Sequence, residues 1–157
     1  MPAFKNSTFR IDSFCSHTCD HLIVLCSDFR FGKANLKFLK EEGIDVYDEI
    51  RIPGGIKSLV DSIGSFIDEE SFVFNWIKFF HFKHKVRLVH LVSHANCGKY
   101  IADGIVFDDD EAEELFHRRQ LFVAGGFLEQ SFPKIRTFLH YAKMSKNRKK
   151  VEYVKVE

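Results

Sequence analysis

The stretch Leu22-Ile23-Val24-Leu25-Cys26-Ser27-Asp28-Phe29-Arg30 decides how this chain folds. Its short apolar run reads as a buried strand. The arrangement returns at Leu88-Val89-His90-Leu91-Val92, a second apolar run that leads into His94-Ala95-Asn96-Cys97-Gly98. Each strand thus delivers thiol or imidazole side chains at its C-terminal end. Strands ending side by side bring Cys26, His94 and Cys97 together. Three such ligands leave the fourth position of a tetrahedral zinc ion open, which separates catalytic from structural sites.

Outward from these strands, helical and extended patterns alternate. Residues 34–42 repeat apolar side chains at helical spacing and stop at Gly43, a C-cap residue. Residues 46–52 alternate as a strand and end at Pro53-Gly54-Gly55. Residues 56–67 place Ile56, Leu59, Val60, Ile63, Phe66 and Ile67 on one helical face, and 72–82 form an aromatic-rich helix. The strand at 86–93 follows. Residues 110–143 read as largely helical, with interruptions at Gly125-Gly126 and Pro133, and 151–156 as a strand near a sheet edge. The expectation is an α/β fold: a mainly parallel sheet of four to five strands flanked by helices, in one domain over 1–157. Ligands of such sheets lie beyond the carboxyl ends of the strands, where Cys26, Gly54-Gly55 and His94-Cys97 all fall.

Composition narrows the function classes. A net charge of +1 gives no electrostatic case for nucleic acid or an anionic membrane as partner. No segment reaches the roughly 18 apolar residues of a membrane span, and no signal-peptide core is visible, so a cytoplasmic location is expected. Reduced cysteines there favour metal binding or catalysis over disulfides. The acidic run from Asp108 to Glu111 suits the first turn of a helix and lacks the spacing and Gly of a calcium loop. The 18 Phe suggest a core packed with aromatic rings, or an apolar pocket or subunit interface beyond the core. A second Cys/His group, Cys15, His17, Cys19 and His21, is packed too closely along the chain to reach one tetrahedral ion without distortion.

Zinc held by two thiolates and one imidazole acidifies water less than zinc held by three imidazoles, so a hydrogen-bond acceptor beside that water matters more. Asp28 is placed for this, and Arg30 can hold its carboxylate through a bidentate pair. If strand geometry persists to residue 30, Cys26, Asp28 and Arg30 share one side.

The paired motifs, Cys26-x-Asp28-x-Arg30 and His94-x-x-Cys97-Gly98, resemble the signature of the β-class carbonic anhydrases at every defining position. Arg51, Gly54 and Gly55 are similar to the family's Arg-Asn-Ala-Gly stretch between them. The resemblance implies Cys26, His94 and Cys97 as zinc ligands, with Asp28 and Arg30 as the catalytic dyad beside the open position. It implies reversible hydration of carbon dioxide to bicarbonate by zinc-bound hydroxide, and assembly as a homodimer or a multiple of dimers. In some members the Asp swings from Arg onto the metal. Departures include Phe29 in place of a small residue, Ile52-Pro53 in place of Asn-Ala, and Ser93 where Gly is common. Two alternatives stay open: hydrolysis of carbonyl sulfide or carbon disulfide on the same fold, and a non-catalytic zinc-binding homologue.

Overall fold

The computed structural model describes residues 17–63 and 71–157. Its strands are β1 His21–Cys26, β2 Tyr47–Ile52, β3 Leu88–His94, β4 Arg136–Met144 and β5 Val151–Lys155. Its helices are α1 Gly32–Glu41, α2 Lys57–Ser62, α3 Phe72–Lys83, α4 Gly98–Ala102 and α5 Asp110–Ser131. The strands form one sheet in the order β2-β1-β3-β4-β5. β1 to β4 run parallel, and β5 returns antiparallel on β4 as an edge strand. The α/β class and the mainly parallel sheet are as the sequence pattern predicts.

β1 shows why its apolar run is unbroken. Leu22 and Val24 pack with Leu59 of α2, Ile77 of α3 and Leu121 of α5. Ile23 and Leu25 face the other way, onto Phe38 and Leu39 of α1. Both faces are core, so no polar residue can alternate into the strand. Burying each aliphatic side chain stabilises the fold by roughly 1.5–3 kcal/mol.

Register sets the site. Cys26 lies beside Ile52 at the end of β2, and His94 beside Ala142 near the end of β4. The carboxyl ends of the central strands therefore open onto one rim. The phenylalanines divide between core and surface: Phe31, Phe38 and Phe132 are buried, whereas Phe29, Phe72, Phe79, Phe82 and Phe122 are exposed. No helix among the described residues is long and apolar enough to cross a membrane.

Four local expectations change. Residues 136–144 are a strand, not the end of a long helix, because Phe132 caps α5 just before Pro133 and the chain turns back into the sheet. β4 escapes periodicity for the same reason as β1: Phe138 stacks on His90 on one face while Tyr141 joins the core on the other. Nor does Gly125-Gly126 interrupt α5. A Cβ at Gly125 would lie 3.0 Å from both Leu139 and Thr137, so this glycine lets the helix settle onto β4. Within residues 56–67 the described helix covers only Lys57–Ser62, Ile63 is extended, and 64–70 lie outside the described residues. Finally, His90 does not face a helix alone: its ring nitrogens lie 3.1 Å from His21 Nδ1 and 3.4 Å from His140 Nε2, on neighbouring strands.

Candidate metal centre

Cys26 ends β1 with its sulfur beside the turn that follows β2. The Gly54 N–H donates to Cys26 Sγ at 3.3 Å. That approach requires glycine. Gly54 and Gly55 have φ of +81° and +56°, and a Cβ on Gly55 would lie 3.1 Å from the Cys26 backbone nitrogen. Arg51, by contrast, turns back to Glu49 at 2.7 Å.

His94 ends β3, buried, with its ring against Phe31 at 4.2 Å. Since a carbonyl only accepts, His94 Nδ1 donates to Ala95 O at 2.9 Å. The proton thus sits on Nδ1, and Nε2 is left with its lone pair, buried and without a partner. Cys97, also buried, occupies the N-cap position of α4 after a turn in which Asn96 has φ +55°.

The ligand atoms of Cys26, His94 and Cys97 all lie within 4.8 Å of one another, the only such group among the described residues. The two sulfurs are 3.9 Å apart. A tetrahedral zinc with Zn–S of about 2.3 Å places its sulfurs about 3.8 Å apart. Leaving Nε2 buried and unpaired costs roughly 1–3 kcal/mol, which a cation relieves. The residues fit a metal ion. The hydrogen bond with Cys97 pushes the Cys26 thiol below its ordinary range against the opposing effect of burial, and His94 adds to the lowering. The same hydrogen bond, with burial, pushes Cys97 up. One thiolate is thereby favoured even before a cation arrives.

Asp28 and Arg30 meet, but through a turn. β1 stops at Cys26, so strand alternation does not continue to residue 30. Asp28 instead caps a single 3₁₀ turn, Phe29–Phe31, and accepts from the Arg30 backbone N–H at 3.0 Å. The same turn folds the guanidinium back: Arg30 Nε lies 3.0 Å from both Asp28 oxygens and Nη2 lies 2.5 Å from Oδ2. These bonds hold the Asp28 carboxyl below its usual range and raise Arg30. Arg30 also donates from Nη1 to Asn96 Oδ1 at 2.8 Å and from Nη2 to Asn96 O at 2.7 Å. The guanidinium therefore ties the turn after β1 to the turn after β3.

A cavity of about 370 Å³ opens over this rim, bordered by Cys26, Asp28, Phe29, Arg30, Pro53 and Lys99. Phe29 is 89% exposed there, an apolar ring at the mouth. A larger groove of about 540 Å³, between α5 and β4, holds no comparable set of donors. Behind the sulfurs, Tyr100 is buried and its hydroxyl has no partner.

Sequence reasoning missed two residues. Asn96 sits within the second motif, but nothing in its spacing says that it anchors Arg30. Glu113 lies in the acidic first turn of α5, which Asp109 caps by accepting from the Ala112 N–H at 2.7 Å. Yet Glu113 is buried and accepts from the Asn96 N–H at 2.7 Å. The second Cys/His group brings no ligand set together among the described residues. Cys19 donates to His21 O at 3.3 Å, and Cys15 lies outside them.

No family profile and no curated protein matches this sequence. Solved structures do match. The β-carbonic anhydrase isoform I of the protozoan Trichomonas vaginalis aligns at a TM-score of 0.54 over 96% of this chain and 87% of its own, with 13% identity. The β-carbonic anhydrase CafD of the filamentous fungus Aspergillus fumigatus aligns at 0.50 over 86% of this chain and 88% of its own, also with 13% identity. At such identity the likeness concerns the backbone: the chain has the fold of the β-carbonic anhydrases, with a buried Cys-His-Cys group suited to a metal at its rim.

Proposed function

We propose that this chain is a zinc-dependent carbonic anhydrase that reversibly hydrates carbon dioxide to bicarbonate. The observation that carries the reading is the orientation of Asp28. Asp28 lines the same cavity as Cys26, and Arg30, itself bonded to Asn96, holds its carboxylate in place. Cys26 Sγ, His94 Nε2 and Cys97 Sγ would hold the ion. When bound, zinc supplies Lewis acidity and brings the ionisation of a coordinated water toward neutral pH.

The chain's own residues supply the rest. Three donors, the Arg30 N–H, Nε–H and Nη2–H, engage the Asp28 carboxylate. The Nε–H is shared between the two oxygens, so each oxygen takes two of these contacts, and a water held by the ion would share Asp28 with that divided bond. Arg30 keeps Asp28 ionised and so acceptor-only. Phe29 and Pro53 give the cavity an apolar wall suited to an uncharged, linear substrate. Lys99 at the rim is paired with Asp103 at 2.6 Å.

The same reading takes the chain as a single zinc domain, working in the cytoplasm as a homodimer or a multiple of dimers. The free Cys19, Cys26 and Cys97 and the exposed Phe and Trp of α3 support it. Stopped-flow hydration of carbon dioxide by the zinc-loaded protein tests the activity. A rate well above buffer is expected, and a rate equal to buffer ends the proposal. Phe29 also favours a second reading, hydrolysis of carbonyl sulfide or carbon disulfide. Sulfide release from either substrate, with slow carbon dioxide hydration, would select it.

A further inference from the structure

The peptide unit joining Ala95 to Asn96 is gripped from both sides. Its carbonyl, Ala95 O, accepts the His94 Nδ1–H at 2.9 Å, the bond that fixes the tautomer and points the free Nε2 lone pair at the two sulfurs' side of the rim. Its N–H, on Asn96, donates to Glu113 Oε1 at 2.7 Å. Beyond that peptide, Asn96 presents Oδ1 and its own carbonyl to Arg30 at 2.8 and 2.7 Å. A single residue of α5 thus holds the segment from which both the imidazole and the guanidinium take their bearings.

Glu113 differs from the other first-turn acids. Asp110 and Glu111 are exposed, as dipole-complementing carboxylates usually are, whereas Glu113 is buried. Burying a carboxylate is costly unless its oxygens are bonded. Burial by itself would raise the Glu113 carboxyl, but His117 and the Asn96 N–H outweigh it and leave the group below its usual range, ionised at neutral pH. His117 Nε2 lies 3.8 Å from Glu113 Oε1 in a fully buried position, its ring stacked on Tyr141 and edge-on to Tyr100. The carboxylate is therefore walled in behind, with one strong bond pointing forward. Asn96 itself is left-handed at φ +55°, a conformation that asparagine adopts more readily than most residues.

We propose that Glu113 is a positioning residue of the metal centre, orienting His94 through Ala95 O and Arg30 through Asn96. The proposal rests on the reading of Cys26, His94 and Cys97 as metal ligands, and it does not depend on the substrate. Second partners of metal-bound histidines typically matter by 10–100-fold in affinity or activity.

The test is zinc affinity, measured by competition with a chromophoric chelator, in the wild type and in Glu113→Ala, Glu113→Gln and Asp109→Ala. Glu113→Ala should bind zinc about tenfold more weakly or worse. Glu113→Gln, whose amide oxygen can accept the same N–H, should recover most of the loss. Asp109→Ala removes the cap of the same helix turn without touching the peptide, and should leave zinc affinity unchanged. Where Glu113→Ala fails to fold, Glu113→Asp replaces it: the charge stays, the reach shortens by one methylene, and affinity should fall as for Ala. Unchanged affinity in the Ala or Asp variant overturns the proposal. So does a Gln variant no better than Ala, or an Asp109→Ala variant equally weakened. In turnover assays Glu113→Ala should lower kcat with KM little changed. If the wild type hydrates no carbon dioxide, the proposed activity fails while the affinity measurements still decide the role of Glu113.

Discussion

At the residue scale, the site depends on two glycine conformations that ordinary side chains resist, Gly54 at φ +81° and Gly55. Gly55 has φ +56° and nearly touches the backbone of β1. Gly55→Ala should cost about 1–3 kcal/mol, read from the denaturation midpoint, and should also weaken zinc binding because the Gly54 N–H leaves Cys26. Asp28→Ala tests the proposed acceptor. It should lower carbon dioxide hydration about 10–100-fold while leaving the fold and zinc stoichiometry intact, and an unchanged rate would remove Asp28 from the mechanism. Most of this centre was legible in the sequence because Cys26, Asp28, Arg30, His94 and Cys97 stand in two short motifs after recognisable strands. Asn96 and Glu113 were not, since their role comes from backbone groups. A peptide N–H that finds a carboxylate 17 positions away leaves no signature in residue type.

Elements show where periodicity carries information and where it stops. β1, β3 and their motifs were readable because a short apolar run ending in Cys or His fits little besides a buried strand that feeds a site. β4 was not, since a strand buried on both faces has no alternation to detect and follows directly on a long helix. Gly125-Gly126 misled in the same place, because a glycine that allows close packing looks identical to one that ends a helix. The two can be separated by measurement. A Cβ at Gly126 meets nothing within 4 Å, so Gly126→Ala should stabilise the protein by about 0.5–1 kcal/mol. Gly125→Ala has the same propensity gain but presses on Leu139 and Thr137, and should fall clearly short of it or turn destabilising. Equal gains at both positions would mean that α5 does not sit on β4 as tightly as its backbone suggests.

For the whole molecule, acid is the condition that should strain the fold first. His90 and His140 are buried on the α1 face of the sheet, and burial pushes them down to about 3 and about 4. For His90 the neighbouring His140, His21 and Lys155 push the same way; for His140, Glu42 opposes and Lys155 adds. Both are neutral in the fold and gain protons when unfolded, below an ordinary pKa of about 6.5. Their contribution is complete above that pH and is lost as pH falls through the window from about 6.5 to about 4 for His140 and to about 3 for His90. Each adds up to about 1.4 kcal/mol per pH unit of slope. Urea midpoints measured across the window should fall steeply, and less so in His140→Leu. The sulfur pair at the rim bears on handling and storage as well. With no ion between them, the Cys26 and Cys97 sulfurs, 3.9 Å apart, need only a small approach to join once an oxidant is present. Peroxide can convert one thiolate to a sulfenic acid, which the other thiol then closes to a disulfide with release of water. The metal-depleted protein left in air should therefore become unable to take up zinc, and a reductant should restore it. An ion held by the same sulfurs would block that reaction, so the order of purification steps should decide how much of the preparation can still take up metal.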